Sequence, residues 1–96
     1  MDVTLQYFEG CPHWRIADER LRELSAEFGF RITYREAVSP EDAEALSFHG
    51  SPSVLVDGRD PFSHGNQPVG LACRVYQTPD GPAGAPTIDQ LRIALT

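Results

Sequence analysis

The sequence predicts one α/β domain with a four-stranded mixed sheet flanked by helices, in the order βαβαββα. Three observations carry this. Apolar residues recur with a period of two near the N-terminus and again at 30–34, and between them with steps of three and four, the signature of strand, helix and parallel strand. A short apolar run, Ser53-Val54-Leu55-Val56, meets an Asp57-Gly58 turn signal, and a second apolar stretch follows at Leu71–Tyr76, together reading as an antiparallel hairpin. The 96 residues contain no internal repeat and no domain-scale linker, so they suffice for one core.

Each element has a local reason. Val3, Leu5 and Tyr7 alternate with Thr4, Gln6 and Phe8, giving a strand at about 2–8 that is apolar on both faces at its end. Glu9-Gly10-Cys11-Pro12 breaks it. Trp14, Ala17, Leu21, Leu24 and Phe28 then form one helical stripe over about 12–28, with Pro12 suited to the first turn and Gly29 to the C-terminal cap. Phe30, Ile32 and Tyr34 alternate with Arg31, Thr33 and Arg35 in a second strand. Ser39-Pro40-Glu41-Asp42 opens a short helix at about 40–47: the serine caps, the proline fits the first helical position and the acids suit the dipole. Residues 59–70 and 78–86 are rich in Gly, Pro and polar residues and read as irregular. Thr87-Ile88-Asp89-Gln90 is a capping box opening a last helix, with Ile88, Leu91 and Leu95 on one face.

Composition removes several function classes. The 41% hydrophobic and 23% charged fractions are those of a folded domain. No apolar run is long enough to span a bilayer. All eight basic residues are arginine against 14 acids, net charge −6, and none cluster, which argues against nucleic acid and anionic membranes as partners. Met1-Asp2-Val3-Thr4 has no leader-like character, so the expected compartment is a reducing cytoplasm. Two cysteines are few for a secreted disulfide scaffold. Phosphate-loop, dinucleotide-binding and nucleophile-elbow motifs are missing. Glu41, Asp42 and Glu44 read as a solvated helix start, and Arg59-Asp60-Pro61-Phe62 as a polar connector anchored by Phe62. His49 and His64 flank loops and read as solvated; with no metal-type spacing of Cys and His, no metal site is expected.

The chemistry concentrates at Cys11, directly after the first strand and at the opening of the first helix. Unpaired backbone N–H groups and the helix dipole favour a thiolate there, and a cationic His13 would add to this or shuttle the proton. The competing reading is a buried space-filling cysteine, against which Gly10 and Pro12 mark an exposed turn. Cys73 has two readings too: a small core residue within a strand, or a resolving thiol or soft ligand facing Cys11. Ser51-Pro52, just before the third strand, is by itself compatible with ordinary trans turn chemistry.

Taken together, Cys11-Pro12-His13-Trp14 at a helix start, Ser51-Pro52, and Val54-Leu55-Val56-Asp57-Gly58 resemble the thioredoxin/glutaredoxin superfamily. The resemblance implies a thioredoxin-like fold, Cys11 as attacking cysteine, and a cis Pro52 beside it that aligns the partner's backbone. Pro12, Trp14 and Ser51 would complete the binding position. The family's redox motif is Cys-x-x-Cys, whereas Trp14 stands at the second cysteine position, so a disulfide within the motif is impossible. That leaves monothiol chemistry at Cys11, needing no cofactor and using a low-molecular-weight thiol or a protein thiol as partner. Gly70-Leu71-Ala72-Cys73-Arg74-Val75-Tyr76 also resembles small proteins related to alkylmercury lyases, which implies a rival: soft-metal or organomercurial chemistry at Cys11 and Cys73, although Trp14 stands where that chemistry wants an acid and Asp18 lies further along. A second rival is a redox-inactive binding module. Because Cys73 in a strand points to one fixed face, no permanent Cys11–Cys73 bridge is expected.

Overall fold

The structure is a computed structural model and describes residues 1–62 and 69–96. Its elements are β1 (Asp2–Tyr7), α1 (Trp14–Phe28), β2 (Arg31–Glu36), α2 (Pro40–Ala45), β3 (Ser53–Val56), β4 (Tyr76–Thr78), β5 (Gly81–Ala83) and α3 (Ile88–Leu95). β1 is the centre of a mixed sheet in the order β2-β1-β3. It pairs in parallel with β2, Val3 opposite Ile32 and Leu5 opposite Tyr34. It pairs antiparallel with β3, Val3 opposite Val56 and Leu5 opposite Val54.

The alternation along β1 divides the core. Val3 and Leu5 face a cluster built from Ala17, Leu21 and Leu24 of α1, Val54, and Leu91 and Leu95 of α3. Val3, Leu5, Leu21, Leu24 and Leu91 are fully buried, and each contributes about 1.5–3 kcal/mol from burial. On the other parity, Phe8 packs against a second cluster of Ala37, Ala43 and Phe48 around α2. Gln6 is buried on that side and donates from Nε2 to the Leu46 carbonyl, 3.2 Å away, which ties β1 to the end of α2. Helices therefore cover both faces of the sheet, as the strand–helix order implies.

The local signals act as expected. Ser39 accepts from the Asp42 N–H with Pro40 in the first turn, Gly29 takes the left-handed cap position of α1, and Thr87 and Gln90 close a reciprocal capping box. On the sheet edge, Tyr34 donates its hydroxyl to Asp18 Oδ1 and so joins β2 to α1. Partial burial, then this bond and the Asp18 charge, push the Tyr34 phenol from 10.0 up to about 12, with Arg22 opposing. The neutral phenol is the favoured form in the folded state. Its contribution to stability is thus complete below pH 10 and disappears as the pH rises from 10 to about 12. Denaturation midpoints measured across that window should fall for the native sequence and fall less for Tyr34→Phe.

The expected fourth strand requires correction. Among the described residues the main sheet has three strands, not four. Asp57 and Gly58 do form a hairpin turn, both with positive φ, 51° and 82°. Pairing nevertheless stops after the single Val56–Arg59 bridge. The stretch from Leu71 to Val75 is irregular and meets the body of the protein through one parallel bridge, Ser51 with Cys73, rather than an antiparallel ladder. Tyr76–Thr78 instead turns back on Gly81–Ala83 as a separate small hairpin, which starts at the last residue of the expected strand and runs into the 78–86 stretch expected to be irregular. The physical reason lies in Arg74: its inward side chain is buried on an ion pair, which holds the segment over Ser51 instead of along β3. Part of the 59–70 loop, including His64, lies outside the described residues.

Candidate functional site

The site forms where β1 ends, α1 begins and the chain enters β3. After Phe8 the backbone turns tightly, with the Cys11 N–H donating to the Phe8 carbonyl at 3.2 Å. The turn carries Cys11 inward, where it is fully buried, while Pro12 and His13 remain exposed. His13 is the N-cap residue of α1 but makes no capping hydrogen bond with its side chain, and the first turn contains no acid. No side chain caps the start of α1, but the Arg15 and Ile16 N–H groups already donate to the Pro12 and His13 carbonyls at 3.3 and 3.2 Å, so what the helix offers Cys11, three residues before Trp14, is the positive end of its dipole.

Ser51-Pro52 is a cis peptide, as expected, and both residues are buried. The Ser51 carbonyl oxygen lies 3.6 Å from Cys11 Sγ, so the proline loop sits beside the cysteine. Both backbone groups of Ser51 are taken from the other side by the chain itself. Its N–H donates to the Ala72 carbonyl at 2.8 Å, and its carbonyl accepts from the Arg74 N–H at 2.9 Å. Gly50 makes this approach possible: its φ is 110°, and a Cβ there would stand 3.0 Å from Arg74 Cβ.

Between those two bonds stands Cys73, and it is joined to Cys11 by a disulfide with Cα atoms 5.8 Å apart. The expectation of two unbridged cysteines is therefore corrected. The reason is topological: a cysteine within an antiparallel ladder would have been fixed to one face of the sheet, but Cys73 lies outside any ladder and meets Ser51, beside Cys11, through a single parallel bridge. The two partners differ in access, since Cys11 is buried and Cys73 is exposed.

No protein-family profile matches this chain, and neither a curated protein nor a solved structure matches it. Function must be read from the residues themselves.

Arg74 and Asp60 are the members of the site that residue patterns missed. Arg74 Nη1 lies 2.6 Å from Asp60 Oδ2 and Nη2 lies 3.3 Å from Oδ1, a two-pronged pair with side chains only 4% and 9% exposed. Nη1 also donates to Ser53 Oγ at 3.2 Å, and the guanidinium lies over the Tyr76 ring, 4.7 Å from its centre. Tyr76 donates its hydroxyl to the Pro52 carbonyl, and Phe62 meets its ring edge-on at 5.3 Å. Burial pushes the Tyr76 phenol well above its usual range, against the opposing effect of Arg74. Phe62 thus anchors the 59–62 connector as expected, but Asp60 is an inward ion-pair partner rather than one more polar residue of a connector. A basic residue flanked by apolar ones was the only signal available, and it did not name its carboxylate.

The remaining expected residues divide. Trp14 packs partly buried against the main cluster and stacks on Tyr7, ring centres 4.3 Å apart, with Arg15 above it at 5.1 Å. It closes the core beneath the turn. The His13 ring leans on Gly84, where any Cβ would collide with it, and makes no hydrogen bond among the described residues. His49 borders a cleft of about 460 Å³ that also includes Leu71, Cys73 and Val75 in its walls. Among the described residues no three metal-binding side chains converge, and no helix is long and apolar enough to cross a membrane.

Proposed function

We propose that this chain is a thioredoxin-like thiol–disulfide exchange protein whose working couple is Cys11–Cys73. The observation that carries it is the disulfide itself, which joins a fully buried residue, Cys11, to an exposed one, Cys73, at the junction of a strand end, a helix start and the Ser51-Pro52 loop. Disulfides that serve only as staples gain from being inaccessible; an exposed partner sulfur offers a thiolate a point of attack. On the other side of the bond, a thiolate developing on Cys11 is favoured by the uncapped start of α1. Trp14 stands where a second cysteine of the helix would be, and Cys73 supplies the second cysteine of the couple from elsewhere in the chain. Exchange is with a low-molecular-weight thiol or a protein thiol, in a reducing compartment such as the cytoplasm, and needs no cofactor.

The test is equilibration in glutathione redox buffers, with free thiols counted by alkylation and intact mass. The couple is expected to titrate within reach of glutathione, above roughly −300 mV. A bridge that stays closed in a large excess of reduced glutathione would mark a structural staple and end this reading.

The juxtaposition of the cysteines also favours a second reading, capture of a soft metal ion by the reduced pair. Two thiolates on Cα atoms 5.8 Å apart suit two-coordinate binding of a thiophilic ion. Carbon–mercury cleavage finds no support, because it needs a proton donor. Asp18, the acid considered for that role, is instead engaged by Tyr34 and Arg22.

A further inference from the structure

We infer that Cys73 is the sulfur through which the couple exchanges with its partner, and that Cys11 is the inner, leaving and resolving sulfur. This inference rests on the redox reading above and reverses the roles that the helix-start position of Cys11 suggests. Three independent observations point the same way. Cys11 is fully buried, whereas Cys73 is exposed and stands in the wall of the cleft bordered by His49, Leu71 and Val75. The Ser51 N–H and carbonyl, through which a partner strand would pair next to Cys11, are already occupied by Ala72 and Arg74. Arg74 is held by Asp60, Ser53 and Tyr76, so the segment carrying Cys73 has an anchor beside Cys11 in addition to the disulfide.

The exchange step follows from access. A thiolate displaces one sulfur of a disulfide while the other leaves, so the attacked sulfur must be the reachable one. The partner thiolate forms a new S–S bond to Cys73 Sγ. The Cys11–Cys73 bond breaks, and its electron pair leaves on Cys11 as a thiolate. A second thiolate of the partner pool then attacks the partner's sulfur in the mixed disulfide and releases Cys73 as a thiolate. Two partner thiols become one disulfide, and the Cys11–Cys73 bridge takes up the two electrons; protonation of the two cysteines balances the protons lost by the two thiols. In the opposite direction, the Cys73 thiolate attacks a partner disulfide and releases one partner thiolate; the Cys11 thiolate then attacks Cys73 Sγ, forms the Cys11–Cys73 bond and releases the second.

The experiment compares Cys11→Ser and Cys73→Ser, each with one thiol, reacting as folded proteins with 5,5′-dithiobis(2-nitrobenzoate) and with glutathione disulfide, and again in denaturant. Folded Cys11→Ser is expected to react more than about tenfold faster than folded Cys73→Ser, since a buried thiol reacts only through local opening. The two should be comparable once unfolded. Equal folded rates, or a faster Cys11, overturn the inference. Should either variant fail to fold, the native disulfide form is treated briefly with reduced glutathione, quenched with acid and peptide-mapped. Glutathione on Cys73 supports the assignment, and glutathione on Cys11 overturns it. A bridge that resists glutathione buffers while Cys73 outpaces Cys11 in the single-thiol proteins supports the order of attack and removes only the redox reading.

Discussion

Replacing Asp60 with Ala is expected to destabilise the folded protein by about 3–5 kcal/mol, the range for removing one partner of a buried ion pair. The cost comes less from the lost attraction than from what remains. Arg74, its side chain 4% exposed, would keep a full charge with, among the described residues, the Ser53 Oγ hydrogen bond and the Tyr76 ring in place of a carboxylate. Among the described residues its Nε is already buried without a partner. Urea denaturation of Asp60→Ala beside the native sequence measures the effect; the midpoint should fall with little change in slope. A loss under about 1 kcal/mol would mean that the pair behaves like a solvated surface bridge. A paired replacement by apolar residues of matched volume is expected to recover most of the stability, because a buried ion pair and a well-packed apolar pair are often nearly equal in net energy.

Opening the Cys11–Cys73 bridge is expected to cost roughly 4 kcal/mol, the chain-entropy value for cysteines separated by 62 residues. The loop so closed runs from the first turn through β3 and the ion-paired segment, which is most of the fold. Cys73→Ser is the cleaner probe, since Cys73 is exposed, whereas a serine at position 11 would place a hydroxyl in a fully buried site. Denaturation of the native sequence with and without reductant should show the loss, and Cys73→Ser should be indifferent to reductant. No difference between the two forms of the native sequence would mean that the bridge constrains neither state. Because Asp60 and Cys73 hold the same segment, their effects should not add: in the reduced protein, Asp60→Ala is expected to cost less than in the oxidised one.

How far the site could be read from residues depends on the range of the interaction. The strand at Val3–Tyr7, the helix from Trp14 to Phe28 and the last helix follow from periodicity and caps that act within a few residues. They appear with ends shifted by at most two positions. The Ser39 and Thr87 caps, the Gly29 stop and the Asp57-Gly58 turn are local in the same sense. Pro52 beside Cys11 was reached through a resemblance in motif order rather than through periodicity, and the structure puts the pair there.

Leu71–Tyr76 fails for a physical reason. Its apolar run reads as a strand, but the buried residues at its end are Arg74 and Tyr76, and an inward arginine is stable only if a carboxylate meets it. That carboxylate, Asp60, lies across a connector whose composition gives no sign of it. The segment consequently follows the ion pair instead of the sheet, the fourth strand is lost, and Cys73 is delivered to Cys11. By itself the sequence determined the elements from β1 to β3 and the last helix, with the cysteine just before the first helix, since short-range periodicity, capping and turn chemistry decide those. Tertiary structure alone decided that Cys11 is the hidden sulfur and Cys73 the open one, because burial and disulfide pairing depend on contacts made across 62 residues of chain.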